Sequence, residues 1–80
     1  MTARVFVSPK KTVLDPQGQT IRAALASRGY AGIEEVRQGK VFEVEVAPGN
    51  ANAAQELEEI ARTILANPVI EDYRVEWLDK

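Results

Sequence analysis

The sequence contains no cysteine and no histidine in 80 residues. These absences exclude disulfide bonds within the chain, thiol nucleophiles, imidazole bases and zinc sites built from Cys or His. A serine–histidine–aspartate arrangement is excluded for the same reason. Carboxylates are able to hold Mg²⁺ or Ca²⁺, but the twelve Asp and Glu residues are scattered. We interpret them as a solvated surface and expect no metal, cofactor-binding or catalytic residue in this chain.

Long apolar runs are also absent. No run approaches the roughly 20 apolar residues of a membrane span, and the opening MTARVFVSPKK lacks the pattern of a secretory leader. We therefore expect a cytoplasmic chain with no membrane association. The hydrophobic content of 45% and charged content of 28% are ordinary for a globular protein. The length allows a single domain, residues 1–80.

A domain of this size rarely gains comfortable stability from its core alone, and commonly adds disulfides, a metal or oligomerisation. Because Cys and His are missing, oligomerisation is the device that remains. Residues 1–40 carry a net charge of +4 and residues 41–80 carry −6. Such asymmetry favours contacts between unlike surfaces and disfavours a uniform nucleic-acid-binding face. The alternative is that both halves mix into one surface on folding.

Hydrophobic periodicity predicts six elements. Alternating residues indicate strands, and apolar residues three and four apart indicate helices. The second helix carries the longer apolar stripe, formed by Ala53, Leu57, Ile60, Ala61, Ile64 and Leu65. Strands are predicted over residues 4–8, 33–37, 40–46 and 69–78, and helices over 15–29 and 53–65.

The predicted order is β-α-β-β-α-β, which is an α+β, ferredoxin-like pattern. Gln38 and Gly39 separate the two middle strands and indicate a tight hairpin. If Gly39 instead forms a bulge, the middle strands are one long bent strand. In either case we expect an antiparallel sheet with two helices on one face, leaving the other face open to a partner.

The segment KKTVLDPQGQT (residues 10–20) admits two interpretations, a phosphate-binding loop or a helix start. Asp15 is a preferred N-cap residue and Pro16 suits the first helical position. Glycine-rich phosphate loops need several glycines, whereas this segment has only Gly18. The segment is therefore predicted to begin a helix, in which Gly18 permits close backbone packing or a contact at the helix N-terminus.

The paired acidic residues do not predict an acid–base site. Neighbours along a strand point to opposite faces, so Glu71 and Asp72 are not expected to converge, and Glu43 with Glu45 is expected to face solvent. The sequence GKVFEVEV (residues 39–46) loosely resembles an RNA-recognition strand, but acidic residues on that strand repel phosphates. Tyr73 and Trp77 are candidate interface aromatics, with a core position as the alternative.

Three stretches together resemble the PurS family, the small subunit of phosphoribosylformylglycinamidine (FGAM) synthase. They are VFVSPKKTVLDPQGQTIRAAL, VRQGKVFEVEV and ILANPVIEDYRVE, and they span almost the whole chain in the family's order. The resemblance implies a PurS-like fold and a role in de novo purine biosynthesis. The enzyme is a C–N ligase with glutamine as amide donor. It converts formylglycinamide ribonucleotide into formylglycinamidine ribonucleotide with ATP.

The resemblance also implies partners. They are a PurL-type synthetase subunit and a PurQ-type glutaminase subunit, with this chain bridging them and aiding ammonia transfer as a homodimer or dimer of dimers. ATP and Mg²⁺ belong to the complex, with no cofactor bound by this chain. Charged and aromatic residues at turns and strand ends are our candidate partner contacts: Lys10, Lys11, Arg37, Lys40, Asp72, Tyr73 and Arg74.

Two other function classes remain open from the residues alone. One is a regulatory domain that binds a small molecule at a homo-oligomer interface near Gly18 or Gly29. The other is a stand-alone enzyme, which the missing Cys and His disfavour.

Overall fold

The computed structural model describes residues 1–78. Within these residues, three strands, two α-helices and one π-helical turn follow each other. They are β1 (Thr2–Pro9), α1 (Pro16–Ser27), β2 (Lys40–Glu45), α2 (Ala53–Ile60), the π-helical turn (Ala61–Leu65) and β3 (Glu71–Trp77). None of the helices in the described residues is long and apolar enough to cross a bilayer.

The three strands form one antiparallel sheet in the order β2-β1-β3. Val5 on the central strand pairs with Phe42 on one side and Val75 on the other. Since side chains alternate across a strand, this register places most of the apolar residues of the three strands on one face, which we call the inner face. Phe6 pairs with Val41 and Arg74 on the opposite, outer face.

The core lies between the inner face and α2. Val5, Val7 and Leu57 are almost fully buried, and Phe42 and Val75 pack against them while remaining half-buried. Burial of each large side chain contributes about 1.5–3 kcal/mol. Phe42 therefore belongs to the core and not to an exposed aromatic face.

The π-helical turn changes the apolar stripe predicted for the second helix. The Ala66 N–H donates to the Ala61 carbonyl at 2.9 Å, a five-residue spacing that rotates the following residues about the helix axis. Ala61 continues the buried register of Ala53 and Leu57, and after the turn Ala66 is buried whereas Ile64 is 73% exposed. The prediction that Ile64 shares the buried stripe was wrong, because a constant 3.6-residue period does not anticipate this turn.

The first helix begins and ends where the sequence predicts. Asp15 occupies the N-cap position and Pro16 follows it. At the other end Gly29 has a φ of +94°, a conformation that glycine adopts without a steric cost. The Tyr30 and Gly29 N–H groups donate to the Leu25 and Ala26 carbonyls, which is the Schellman arrangement that satisfies the last turn.

The helix α1 projects away from the sheet. Apart from Gly18, which is buried, and Leu25, which is half-buried, the residues of α1 are exposed. None of them is among the core residues found in the described chain, so the expectation that both helices cover one face was wrong for a single chain. The molecule measures 51 × 26 × 13 Å and has a radius of gyration of 16.2 Å. A compact domain of 80 residues has a radius of about 12 Å, and the projecting helix accounts for the difference.

The predicted strand at residues 33–37 is not formed. This segment has no sheet partner in the described chain, and Gln38 and Gly39 do not close a hairpin. Contacts with the N-terminus of α1 hold the segment instead, as described below. The α+β class and the antiparallel sheet are confirmed, with the observed order β-α-β-α-β.

Candidate interaction surfaces

Five of the seven predicted partner-contact residues lie at one end of the sheet. β1 ends there, and β2 and β3 begin there. Four of the five residues are basic, so we call this region the basic end. It comprises Lys10, Lys11, Arg37, Lys40 and Asp72.

Arg37 holds the loop of the basic end in place through hydrogen bonds to its backbone. Its guanidinium donates to the carbonyl oxygens of Lys10, Lys11 and Val13 at 2.7–3.3 Å. It also pairs with the Glu35 carboxylate at 3.0 Å, and only 24% of its side chain is exposed. Arg37 therefore fixes the loop after β1 and positions its lysines, and little of its side chain remains available to a partner.

The Asp15 carboxylate links the start of α1 to the backbone of Gln38. The Gln38 N–H donates to Asp15 Oδ2 at 2.7 Å. This bond is the largest cause that holds the pKa of Asp15 below its usual value, and the Gly18 and Gln17 N–H groups and the Arg37 charge act in the same direction. The side chain makes no regular helix-capping hydrogen bond, so the carboxylate mainly ties residue 38 to the helix.

Gly18 allows the backbone of residue 36 to touch α1. A Cβ atom at this position would lie 2.1 Å from the Val36 carbonyl oxygen and 2.8 Å from Asp15 Oδ2. Both distances are far shorter than van der Waals contact, so only glycine fits here. The close packing that the sequence analysis assigned to Gly18 is present.

The lysines of the basic end differ in what they contact. Lys10 pairs with Asp72 at 2.7 Å, and its N–H donates to the Ile70 carbonyl. Lys11 and Lys40 are exposed and have no charged partner within residues 1–78. An exposed ion pair contributes about 1 kcal/mol or less, so Lys10 is able to exchange Asp72 for another anion at little cost.

Tyr73 and Arg74 lie on opposite faces of β3. The Tyr73 hydroxyl donates to the Glu58 carboxylate of α2, and this hydrogen bond raises the pKa of Tyr73. Arg74 stands over the Phe6 ring, 4.4 Å from its centroid, and pairs with Glu76. Tyr73 thus packs towards the core, whereas Arg74 belongs to the open outer face. Trp77, with an exposed fraction of 36%, lies at the rim and not inside the core.

The acidic residues that share a strand lie apart. Glu71 accepts from the Asn67 N–H at 2.8 Å while Asp72 pairs with Lys10. Glu43 pairs with Arg4 at 3.4 Å on the outer face. In the described part of the chain no three Asp or Glu residues are grouped as metal ligands.

A groove runs beside α1 near Gly18. Its volume is about 420 Å³, and it lies between the helix and the segment before β2. Arg37 and Asp15, which contribute to its wall, are already engaged by the contacts described above. Its lining residues are Val13, Leu14, Asp15, Gln19, Arg22, Glu34, Glu35, Val36 and Arg37.

Comparison with known proteins places the chain in a family. Residues 2–79 match the family described as PurS, phosphoribosylformylglycinamidine (FGAM) synthase. A Mycobacterium leprae protein called phosphoribosylformylglycinamidine synthase subunit PurS is 47% identical over 73 residues, covering 91% of this chain and 90% of the relative. The Bacillus subtilis protein of the same name is 41% identical over 73 residues, with coverage of 91% and 87%.

Solved structures show the same similarity. The B. subtilis PurS structure superposes with a TM-score of 0.84 and 40% identity, covering 94% of each chain. A chain in the structure of PurLQS from Thermotoga maritima superposes with a TM-score of 0.81 and 31% identity. That match covers 96% of this chain and 95% of the relative.

Proposed function

The chain belongs to the PurS family, and from this premise we propose that it is the small subunit of an FGAM synthase in purine biosynthesis. The observation that carries the proposal is the match over residues 2–79 with proteins named as this subunit. A related chain occurs in the T. maritima PurLQS structure, which supports assembly with PurL-type and PurQ-type subunits. We propose accordingly that the chain acts in the cytoplasm with the rest of the enzyme.

The role we assign within the complex is assembly. The chain has no histidine or cysteine, and its conspicuous carboxylates are tied to neighbours or exposed on the outer face. We propose that it bridges the synthetase and glutaminase subunits and aids ammonia transfer between them. ATP and Mg²⁺ act in the complex, and this chain binds neither.

The accessible surface supports a homo-oligomeric subunit. The chain exposes 6011 Å², about 1,200 Å² more than a folded monomer of 8.8 kDa is expected to expose. A standard interface buries about 800 Å² on each partner. The excess is therefore sufficient for one stable contact with a second copy, as a homodimer or as the building unit of a dimer of dimers.

The basic end is our candidate surface for the larger subunits. Lys11 and Lys40 present free charge there, Lys10 and Asp72 form an exchangeable pair, and Arg37 fixes the loop. Tyr73 and Arg74 continue the strand that begins at this end. Complementary charge at an exposed rim accelerates association and sets orientation more than it sets affinity.

Complex formation tests this proposal. The three subunits are mixed with glutamine and ATP–Mg²⁺, and the mass of the product is measured by size exclusion with light scattering. We expect a complex that contains all three chains. Lys11→Glu with Lys40→Glu should weaken it at least tenfold and make it less sensitive to added salt, because the attraction that salt screens has been removed. Arg62→Glu, on the π-helical turn outside the basic end, is the matched control and should change little. If the variant with both lysines reversed forms the three-chain complex as tightly as the wild-type chain does, the basic end is not part of the interface.

A small-molecule regulatory role is the second candidate, because a groove of about 420 Å³ lies beside Gly18. A ligand that binds only the folded state raises its stability. Thermal unfolding of the isolated chain with glutamine, ADP or purine nucleotides tests this role. An increase in the midpoint that saturates with one of them would support it, and unchanged midpoints would leave the assembly role alone.

A further inference from the structure

The tight turn just before β3 exposes apolar side chains that the core does not use. It comprises residues 67–70, within the stretch ANPVIEDY. Val69 is 78% exposed, more than any other large hydrophobic residue in residues 1–78, and the adjacent Ile70 is 43% exposed. Single exposed apolar residues are common on protein surfaces, whereas neighbouring ones enlarge the apolar surface and mark a site of contact.

Hydrogen bonds hold this turn in one conformation. The Ile70 and Glu71 N–H groups donate to the Asn67 carbonyl at 3.1 and 2.7 Å. The Asn67 side-chain oxygen accepts the Val69 N–H at 3.0 Å, and the Asn67 N–H donates to the Glu71 carboxylate at 2.8 Å. Pro68 restricts φ at the second position of the turn. The turn is therefore ordered without a partner, and an ordered surface loses less conformational entropy when it binds.

Both ends of the turn are attached to the rest of the fold. Ala66, just before the turn, is buried, and its N–H donates to the Ala61 carbonyl at 2.9 Å. At the other end the Ile70 carbonyl accepts the Lys10 N–H at 2.9 Å. Val69 lies between these two attachments with its side chain in water. The fold itself therefore does not require an apolar side chain at this position.

The unpaired charge at this end of the molecule is positive. The bond from the Lys10 N–H places the turn at the basic end. Asp72 pairs with the Lys10 side chain at 2.7 Å, and Glu71 is bonded to the backbone of the turn. Lys11 and Lys40 have no charged partner within residues 1–78. Exposed apolar residues beside unpaired cations fit a pocket that is apolar at its centre and acidic at its rim.

The same charges disfavour a second copy of this chain as the occupant of this surface. In a two-fold contact the same surface of both copies meets. Such a contact would bring the lysines of both basic ends together, and like charges at an interface oppose association. A different protein with carboxylates around an apolar pocket gains attraction from these lysines instead.

We propose that Val69 and Ile70 are the apolar anchor by which this chain docks onto a larger subunit of the synthase. The anchor enters an apolar pocket of that subunit, and Lys11 and Lys40 contact carboxylates at the rim. A few buried residues at the centre of an interface carry most of the binding energy, whereas rim charges mainly set rate and orientation. This inference rests on the proposed function and names the residues that supply affinity at the basic end.

Exchanging one methyl group of Val69 for a hydroxyl tests the anchor. Val69→Thr keeps the branched shape of the side chain, so the turn keeps its conformation. Because it would bury a hydroxyl in an apolar pocket, we expect the three-chain complex to form about tenfold more weakly. Val69→Ile is the matched control, and it should bind more tightly than Val69→Thr because it stays apolar. Urea unfolding of the isolated Val69→Thr variant should match the wild type, since the side chain is exposed.

The titration separates this inference from the subunit role. If the wild-type chain forms the three-chain complex and Val69→Thr forms it as tightly, the anchor is refuted and the subunit role stands. Weaker binding that comes with an equal loss of unfolding free energy would assign Val69 a structural role and also refute the anchor. A wild-type chain that forms no complex contradicts both proposals.

A photochemical cross-link identifies the occupant directly. Val69 is replaced by the photoreactive p-benzoylphenylalanine, the three-chain complex is assembled with glutamine and ATP–Mg²⁺, and the masses of the products are measured after irradiation. The proposal predicts an adduct between this chain and one larger subunit, at a peptide that lies beside Asp or Glu residues. An adduct between two copies of this chain, or no adduct with either larger subunit, would overturn it.

Discussion

Replacing Gly18 with alanine distinguishes helix propensity from the packing of α1 against the segment before β2. Alanine is favoured over glycine by about 1 kcal/mol in a helix interior, so propensity alone predicts a more stable protein. In the structure the added Cβ would lie 2.1 Å from the Val36 carbonyl oxygen. That oxygen belongs to the backbone and cannot rotate away, so the segment before β2 has to shift.

The magnitude follows from these opposing effects. Overpacking typically costs about 1–3 kcal/mol, and the shift also disturbs Asp15 Oδ2, which would be 2.8 Å from the new atom. That carboxylate accepts the Gln38 N–H, so the shift also disturbs this hydrogen bond and the cost lies at the upper end of the range. After the gain in propensity is subtracted, we expect Gly18→Ala to lower the free energy of unfolding by about 2 kcal/mol.

Urea unfolding at matched protein concentration measures this change. With a slope of about 1 kcal/mol/M for a small domain, the midpoint should fall by about 2 M. Ala23→Gly, at an exposed position of the same helix, is the control and should lose only about 1 kcal/mol. A Gly18→Ala variant that is more stable than the wild type would refute this account of how α1 packs against the segment before β2.

Three further changes test the same region. Arg37→Met should lower the free energy of unfolding by about 1–2 kcal/mol because three loop carbonyls lose their donor. The control, Arg28→Met at an exposed position, should change it by less than about 0.5 kcal/mol. Equal effects of the two variants in urea unfolding would contradict this. Because the pKa of Asp15 is lowered in the fold, its contribution is fully present above pH of about 4 and is lost as the pH falls through the folded-state pKa. Asp15→Asn should therefore reduce the loss of unfolding free energy at acid pH. A loss as large as that of the wild type would contradict the lowered pKa of Asp15. Because the Glu58 hydrogen bond raises the pKa of Tyr73, that contribution is present below pH of about 10 and is lost as the pH rises through the folded-state pKa. In an absorbance titration at alkaline pH, the Tyr73→Phe variant should lack the phenol that titrates last in the wild type. A variant that keeps this late phase would count against the Tyr73–Glu58 hydrogen bond.

Helix capping and strand periodicity predicted the features that depend only on residues close together in the sequence. Asp15 with Pro16 marks the start of α1, and Gly29 marks its end, because capping depends on adjacent residues. Alternation placed Val5 and Val7 on the buried face of β1, since strand periodicity is a property of the strand itself.

The features that the sequence analysis missed depend on contacts between residues that are far apart in the sequence. The strand at residues 33–37 was predicted from its pattern, yet a strand needs a partner and the chain provides none in residues 1–78. Arg37 was predicted as a partner contact from its charge, and that remains a prediction; its bonds to three carbonyls of a loop far away in sequence were not predicted. The unusual glycine within a helix, Gly18, was the one sequence feature that pointed to this arrangement.

Glutamine-dependent turnover by the reconstituted synthase tests the central claim most directly. The synthetase and glutaminase subunits are assayed with ATP, Mg²⁺, glutamine and ribonucleotide, with and without this chain. A parallel assay supplies ammonium in place of glutamine. An assembly subunit is required with glutamine, whereas the ammonium reaction proceeds without it, because the synthetase is then fed directly. If the two larger subunits use glutamine equally well without this chain, the bridging role is contradicted.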